Sequence, residues 1–599
     1  MCRAVRFLQT LVFCAATLVT LAGICVRSLH AQDARPIPAP SMALRGIPED
    51  WSNRHVIYTR NGSFEDMVKV RDDPRFINSL RLHNTQEHPS QTKQAAATEL
   101  FKKKNSKVDW SISLGHWAGM AIGETPAKYT FDPDAPPTCT NLTAVPPTIG
   151  DFVVFTIDVP TGHVAAASQG NLVGITNLYS GSPAGPCGTH PTFLFSYAIG
   201  SNGSQLSPVI SGNGAQIAWI ENASPAAILH VTTWAPGQGT NATVRSVAIG
   251  SGSSDVTLNY TTSTSNPNCV TTSSTNTNSD LYVDYQNNVG YIGADNGILY
   301  HINNLFGGTP TVDFCTVASA LPLGSPVYDS ESVQVFVSDP LTLYSYTVGS
   351  SSFTNLASYG YGAGGASQTS GPMLDSFDGY VYMFSADDTN HHTSMTQLPI
   401  SMASAAVVSL GPASTAAYPI LYLGAFDNNY FNNGPSSSST IYTCGADPTN
   451  PLAQDLYAIG FTAGPTNPSL VMTANPNVNT SHDTGTCSPI TEFYDGTTDR
   501  IFVGMGDPNY VENGDDGADI VTMWDVTTQL TDPTTTPTAT SAADYFGGTT
   551  GFPIDNNAIG TAQAESIYFS TLAPIPSTDT FRCFANHFCA VKLTQSGLQ

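Results

Sequence analysis

Five carboxylates crowd residues 507–519: Asp507, Glu512, Asp515, Asp516 and Asp519. Hard oxygen donors on a flexible loop suit Ca²⁺, although their spacing is not that of the EF-hand loop. The loop is a candidate calcium site, and no other cofactor is expected. A second set of acids recurs at the end of the first strand of successive units: Asp284, Asp329, Asp375, Glu492 and Asp555, with Ser211 in the same place of another unit. A ring of carboxylates on one rim could hold cations. The stronger reading is structural, because a short carboxylate accepts hydrogen bonds from N–H groups two or three residues ahead and so fixes a hairpin.

Other chemistry is sparse. The 13 histidines are scattered; His391 and His392 adjoin, so in a strand they would face opposite ways, and no HExxH occurs. GxSxG, P-loop and CxxC patterns are missing too. The acid pairs Asp387 with Asp388 and Asp132 with Asp134 read as turn composition. Glycosidase chemistry needs two acids facing each other at a set separation. Catalytic residues are therefore unassigned, and the chain leans away from being an enzyme.

The elements that must position these residues are strands. Residues 329–338 (DSESVQVFVS) and 375–385 (DSFDGYVYMFS) repeat one phrase, with Ser325 and Gly371 in equivalent places, 371 − 325 = 46 apart. That period is a propeller-blade period. Aromatic anchors at Phe155, Trp219, Tyr291, Phe336, Tyr382, Tyr422, Phe502 and Tyr568 count eight units. The expectation is an all-β, eight-bladed β-propeller over residues 108–599, with seven blades the alternative if the unit at Tyr422 is an elaborated hairpin. The last unit lacks a fourth strand, which residues 108–114 or 127–132 could supply, locking first blade to last.

Ahead of the repeat, Arg3 and Arg6 precede an apolar stretch from Phe7 to Ile24, and residues 1–31 read as a secretory signal peptide. A retained anchor is the alternative, and no later run is long enough to span a bilayer. Residues 32–107 read as a Pro-rich, then helical, basic extension. Ser63 and Asp66 form a capping box for a first helix that Pro74 interrupts, and Ser90 could cap a second one ending in Lys102, Lys103 and Lys104.

Charge is divided along the chain. Up to Lys128 the balance is 17 − 11 = +6, and beyond it 4 − 35 = −31. An acidic body repels phosphate backbones, so nucleic-acid binding is not expected. Cys139, Cys187, Cys269, Cys315, Cys444, Cys487, Cys583 and Cys589 follow the leader. An even number suits four disulfides in a secreted protein, and sequential pairing is favoured because each pair then ties a strand to a nearby loop.

The repeated phrase, followed by Gly297–Ile302 (GILYHI), resembles the repeat of quinoprotein-dehydrogenase-like, or PQQ-repeat, propellers, which have eight blades. Redox members of that superfamily hold a quinone beside a disulfide of adjacent cysteines; here no two cysteines adjoin. More closely, residues 109–115 (DWSISLG), 126–132 (PAKYTFD), 151–155 (DFVVF), 171–181, 424–428 (GAFDN) and 487–494 (CSPITEFY) look like a family of uncharacterised secreted bacterial β-propeller proteins. That resemblance implies a fold and a location, and no activity.

The expected function is a secreted, extracellular or periplasmic, monomeric binding or scaffold protein. Its ligand would be a cell-surface or matrix glycan or a protein held on the blade loops. The alternative is a propeller enzyme, either a quinone-dependent oxidoreductase or a glycan hydrolase or lyase. Three or more carboxylates converging in the central funnel would favour the enzyme; an apolar or neutral lining would favour the binder.

Overall fold

Residues 282–317 show how the repeat becomes structure. Strands Tyr282–Asp284, Val289–Ile292, Ile298–Asn303 and Thr311–Val317 pair antiparallel in chain order. The first hairpin is tight because Asp284 Oδ1 accepts from the N–H groups of Gln286 and Asn287, at 3.0 and 3.2 Å. Tyr282, Val283, Tyr291, Ile292, Leu299 and Tyr300 are buried. Both faces of such a sheet are apolar, so a blade is stable only between two others.

The computed structural model describes residues 46–58, 64–83 and 105–594, except 118, 134, 166–167, 182–183, 223–225, 240–251, 263–265, 270–274, 364–370, 415–419, 449, 451–452, 475–484, 507–519, 533–534, 536, 542–544, 546, 556–565, 576–582 and 584–585. Eight blades follow one another around a ring: blade 1 (127–197), blade 2 (209–258), blade 3 (282–317), blade 4 (327–360), blade 5 (373–409), blade 6 (425–474), blade 7 (486–541) and blade 8 (554–594), the last two joined into one sheet where residues 105–106 pair with 540–541. In each, the first strand in sequence lies innermost. The all-β, eight-bladed propeller is thus the fold, and seven blades is set aside.

Closure comes from the N-terminal side. Strand β3 (Asn105–Gly115) pairs antiparallel with Phe588–Thr594 and forms the outermost strand of blade 8. Strand β4 (Ala127–Thr130), the other segment considered for that role, is instead the innermost strand of blade 1. Blade 8 would otherwise end on an unpaired edge.

Two details depart from expectation. Tyr422 precedes the inner strand of blade 6, Ala425–Phe426, and the aromatic in the second strand of that blade is Tyr442. The short helix α3 (Asn428–Asn433) intervenes and lengthens the first hairpin, which hid the spacing. Pro74 ends one helix and begins another: α1 (Phe64–Val70) is followed by α2 (Pro74–His83), with Asp73 Oδ1 accepting from Arg75 N at 2.8 Å. Residues 84–104, with Ser90 and the three lysines, lie outside the described residues, as do the leader and Ser63.

The eight cysteines pair in sequential order: Cys139–Cys187, Cys269–Cys315, Cys444–Cys487 and Cys583–Cys589. Cys444–Cys487 joins blade 6 to blade 7. Among the described residues no helix is long and apolar enough to cross a membrane.

Candidate functional site

The axis of the ring is filled by the chain's own N-terminal segment. Strand β1 (Ile47–Glu49) pairs antiparallel with β4, inside blade 1. Strand β2 (Val56–Ile57) pairs parallel with Met373–Asp375, inside blade 5. With eight blades, 1 and 5 face each other, so residues 47–57 bridge the channel from wall to wall. A 3₁₀ turn at Trp51–Arg54 makes the crossing. Asp50 caps it by accepting from Ser52 N at 2.9 Å, and Asn53 accepts from Asp50 N at 3.2 Å.

This plug bonds to the walls on several sides. Trp51 Nε1 donates to Leu281 O of the segment entering blade 3 at 3.1 Å. Arg54 donates to Phe552 O ahead of blade 8 at 2.6 Å, and Ile554 N donates to Glu49 Oε1 at 2.8 Å. Arg75 of α2 donates to Val283 O in blade 3 at 2.6 Å. Burial pushes the His55 ring down to about 3, so it is neutral and donates through Nδ1 to Pro372 O at 3.0 Å. Trp51, Val56, Tyr58, Val70 and Phe76 belong to one apolar cluster with blades 2 to 5. The plug is core, packed like the blades themselves.

Charges in the channel are matched within the chain. Arg54 lies 3.1 Å from Glu49, Arg75 lies 2.6 Å from Asp73, and Lys128 of β4 lies 3.2 Å from Asp555 of blade 8. Burial raises the Glu49 carboxyl above its ordinary range, and Arg54 opposes that rise.

The recurring acids serve two purposes. Asp329 Oδ1 accepts from Glu331 N at 3.1 Å and Asp375 Oδ1 from Asp378 N at 3.0 Å, both within hairpins. They also bind the next blade: Ser376 Oγ donates to Asp329 at 2.5 Å, and Tyr430 OH donates to Asp375 at 3.0 Å. Register adds two members the sequence did not single out. Asp427 of blade 6 stands at the acid position, and in blade 1 that position holds Lys128. Glu492 is one residue out of step, since Phe502 pairs with Thr491. Its side chain therefore takes the other face of the strand, where it faces the plug and lines a cavity with Arg54.

Asp427, Glu492 and Asp499 gather where blades 6 and 7 meet the plug. Asp427 Oδ1 accepts from Tyr430 N at 2.6 Å, capping α3, and Asp499 Oδ2 accepts from Asn428 N at 2.7 Å. Glu492 and Asp499 share a hydrogen bond. Burial pushes Asp427 up to about 8, with Asp499 adding repulsion. Burial likewise raises both members of the Glu492–Asp499 pair. Asp427 Oδ2 and Asp499 Oδ1 are buried without a hydrogen-bond donor among the described residues. No group of three or more His, Cys, Asp or Glu among those residues is placed to hold a metal ion.

No protein-family model matches the chain, and no curated protein sequence does. Solved structures match in shape. Two crystal structures of Sqt1 from Chaetomium thermophilum align with TM-scores of 0.45 at 9% and 10% identity. They cover 82% of this chain and 98% and 100% of theirs. That likeness concerns fold alone, and the blade count rests on the strand pairing.

Of the residues singled out from sequence, Asp507, Glu512, Asp515, Asp516 and Asp519 lie outside the described residues. His391 and His392 sit in a turn rather than a strand, bonded to Asp387 Oδ1 and Ser409 Oγ, each at 3.0 Å. Asp388 Oδ1 accepts from the N–H groups of Asn390 and His392, as a turn residue does. The channel residues Glu49, Trp51, Arg54, His55 and Arg75 carried one available signal: a front segment rich in cations ahead of an acidic ring.

Proposed function

We propose that this chain is a secreted binding or scaffold propeller whose ligand, a glycan or a protein of a cell surface or matrix, contacts the blade loops. One observation carries the reading. The axial channel, where a propeller enzyme would gather its chemistry, is spanned by residues 47–57 and covered by α2, and its charges are spent on holding that plug. Loop faces are left as the working surface. Trp117, just after β3, supports this: it is 47% exposed, its ring lies 4.0 Å from that of His163, and His116 borders it at 5.1 Å. Exposed Trp is a favoured anchor of binding surfaces. A calcium ion on the 507–519 carboxylates and a monomeric state belong to the same proposal.

The enzyme reading retains one favourable observation, the convergence of Asp427, Glu492 and Asp499. Asp427 and Asp499 are buried, and of the three only Glu492 lines the cavity beside the plug. Incubating the purified full-length chain with an array of glycans and matrix proteins tests both readings. Retention without turnover, weakened by Trp117→Ala, is expected; release of cleaved or oxidised glycan would overturn the binder reading.

A further inference from the structure

A cavity beside the plug interrupts the filling of the channel. It lies between the plug, α2, α3 and the inner strands of blades 6, 7 and 8, and has a volume of about 80 Å³. That is room for on the order of five waters, the space of one small ring. We propose that this cavity binds a single uncharged, polyhydroxylated ring, such as the terminal sugar of a glycan, between Asn78, Ser79, Arg54 and Glu492 on one side and Phe426 and Phe431 on the other.

Asn78 is the observation that points to a ligand. It sits inside α2, where Asn is a poor helix former, and is only 5% exposed. Its amide lines the cavity and makes no hydrogen bond among the described residues. That amide faces the cavity, where a ligand hydroxyl would both donate to its oxygen and accept from its nitrogen.

The other walls fit the same chemistry. Ser79 Oγ donates to Phe76 O at 2.8 Å and keeps its lone pairs for an incoming hydroxyl. Glu492 lines the same wall. Phe426 and Phe431 supply apolar ring faces against which the C–H face of a sugar can lie. Arg54 is neutralised by Glu49 and Arg75 by Asp73, so no unmatched charge awaits an ionic ligand. Donors and acceptors on one wall and aromatic rings on the other describe a neutral polyol ring better than an anion or a hydrocarbon.

This inference rests on the binder reading and narrows its ligand. Calorimetry on the full-length chain would use glucose, galactose, mannose and N-acetylglucosamine, with glucuronate as the charged control. At least one neutral sugar is expected to bind, about tenfold more weakly in Asn78→Leu. Ser79→Ala, at a half-buried site, is expected to weaken binding too, and it serves if Asn78→Leu does not fold. Binding of none of these sugars, binding unchanged in both variants, or binding of glucuronate alone would overturn the cavity site. A glycan array run on the same proteins separates the two readings. Capture that both variants retain overturns the cavity and leaves the binder, whereas turnover of the captured glycan overturns the binder itself.

Discussion

The ammonium of Lys128 and the carboxylate of Asp555 lie 3.2 Å apart, both buried, across the seam between the first and last blades. Lys592 adds a second buried cation there, 3.4 Å from Asp109 of β3 and donating to Leu178 O of blade 1 at 2.8 Å. The ring is therefore closed by strand pairing within blade 8 and, across the seam, by the Lys128–Asp555 ion pair and the Lys592 hydrogen bond to Leu178 O. Lys128→Met leaves Asp555 as an uncompensated buried charge, and a loss of about 3–5 kcal/mol is expected in urea unfolding. The double variant with Asp555→Asn should recover most of that loss; a single variant as stable as the parent would mean the seam does not depend on the pair.

Trp51 anchors the plug through Leu281 O and through edge contacts to Tyr282 and His55, at 6.2 and 4.6 Å between ring centroids. Trp51→Ala is expected to cost about 3–5 kcal/mol. Hydrogen exchange should accelerate at the amides of Leu374 and Ser376, which donate to His55 O and Ile57 O. Unchanged exchange at these two amides would show that the plug is held without its tryptophan.

The acid group at blades 6 and 7 makes stability depend on pH. Folding raises Asp427 and the Glu492–Asp499 pair above their ordinary values, chiefly by burial, so the folded state holds protons that the unfolded chain releases. Stability is fullest below the unfolded carboxylate range near 4 and falls as pH rises toward about 8, by on the order of 1 kcal/mol per pH unit for each group. A melting temperature higher at pH 5 than at pH 8 is expected, with the slope reduced in Asp427→Asn. An equal slope in that variant would assign the effect elsewhere.

His230 of blade 2 is held between Asp255 at 2.7 Å and Glu221 at 3.0 Å and stacks on Trp219 at 4.3 Å. Burial alone would lower its pKa, but hydrogen bonds to Asp255 and Glu221 outweigh that and raise it. Its contribution is present below the ordinary histidine value near 6.5 and is lost as pH rises through the raised folded value. Titration of its ring protons by NMR should give a midpoint above the ordinary value, and His230→Gln should lower stability at pH 6 more than at pH 9. A midpoint below the ordinary value would refute this account.

Much of the ring could be read from residues alone. Phe155, Trp219, Tyr291, Phe336, Tyr382, Phe502 and Tyr568 all lie in second strands, because a strand buried on both faces must be apolar whichever blade it belongs to. Tyr422 misled because a two-residue inner strand leaves little pattern, and α3 displaces the next strand to Tyr442. The site was less legible. Glu49, Trp51 and Arg54 belong to strands and a turn too short to show a period, and they meet walls made hundreds of residues later. The acids were recognised as turn residues, but that Asp329 and Asp375 also bind the following blade depends on Ser376 and Tyr430, which local spacing does not reveal.

Residues at the axis are made before any blade, yet Arg54 and Glu49 find their carbonyl and amide partners 498 and 505 positions further on. A chain that stopped short of Phe552 could still pair its hub with blades 1 and 5, yet the wheel would turn on an axle missing these two bonds to its last spoke.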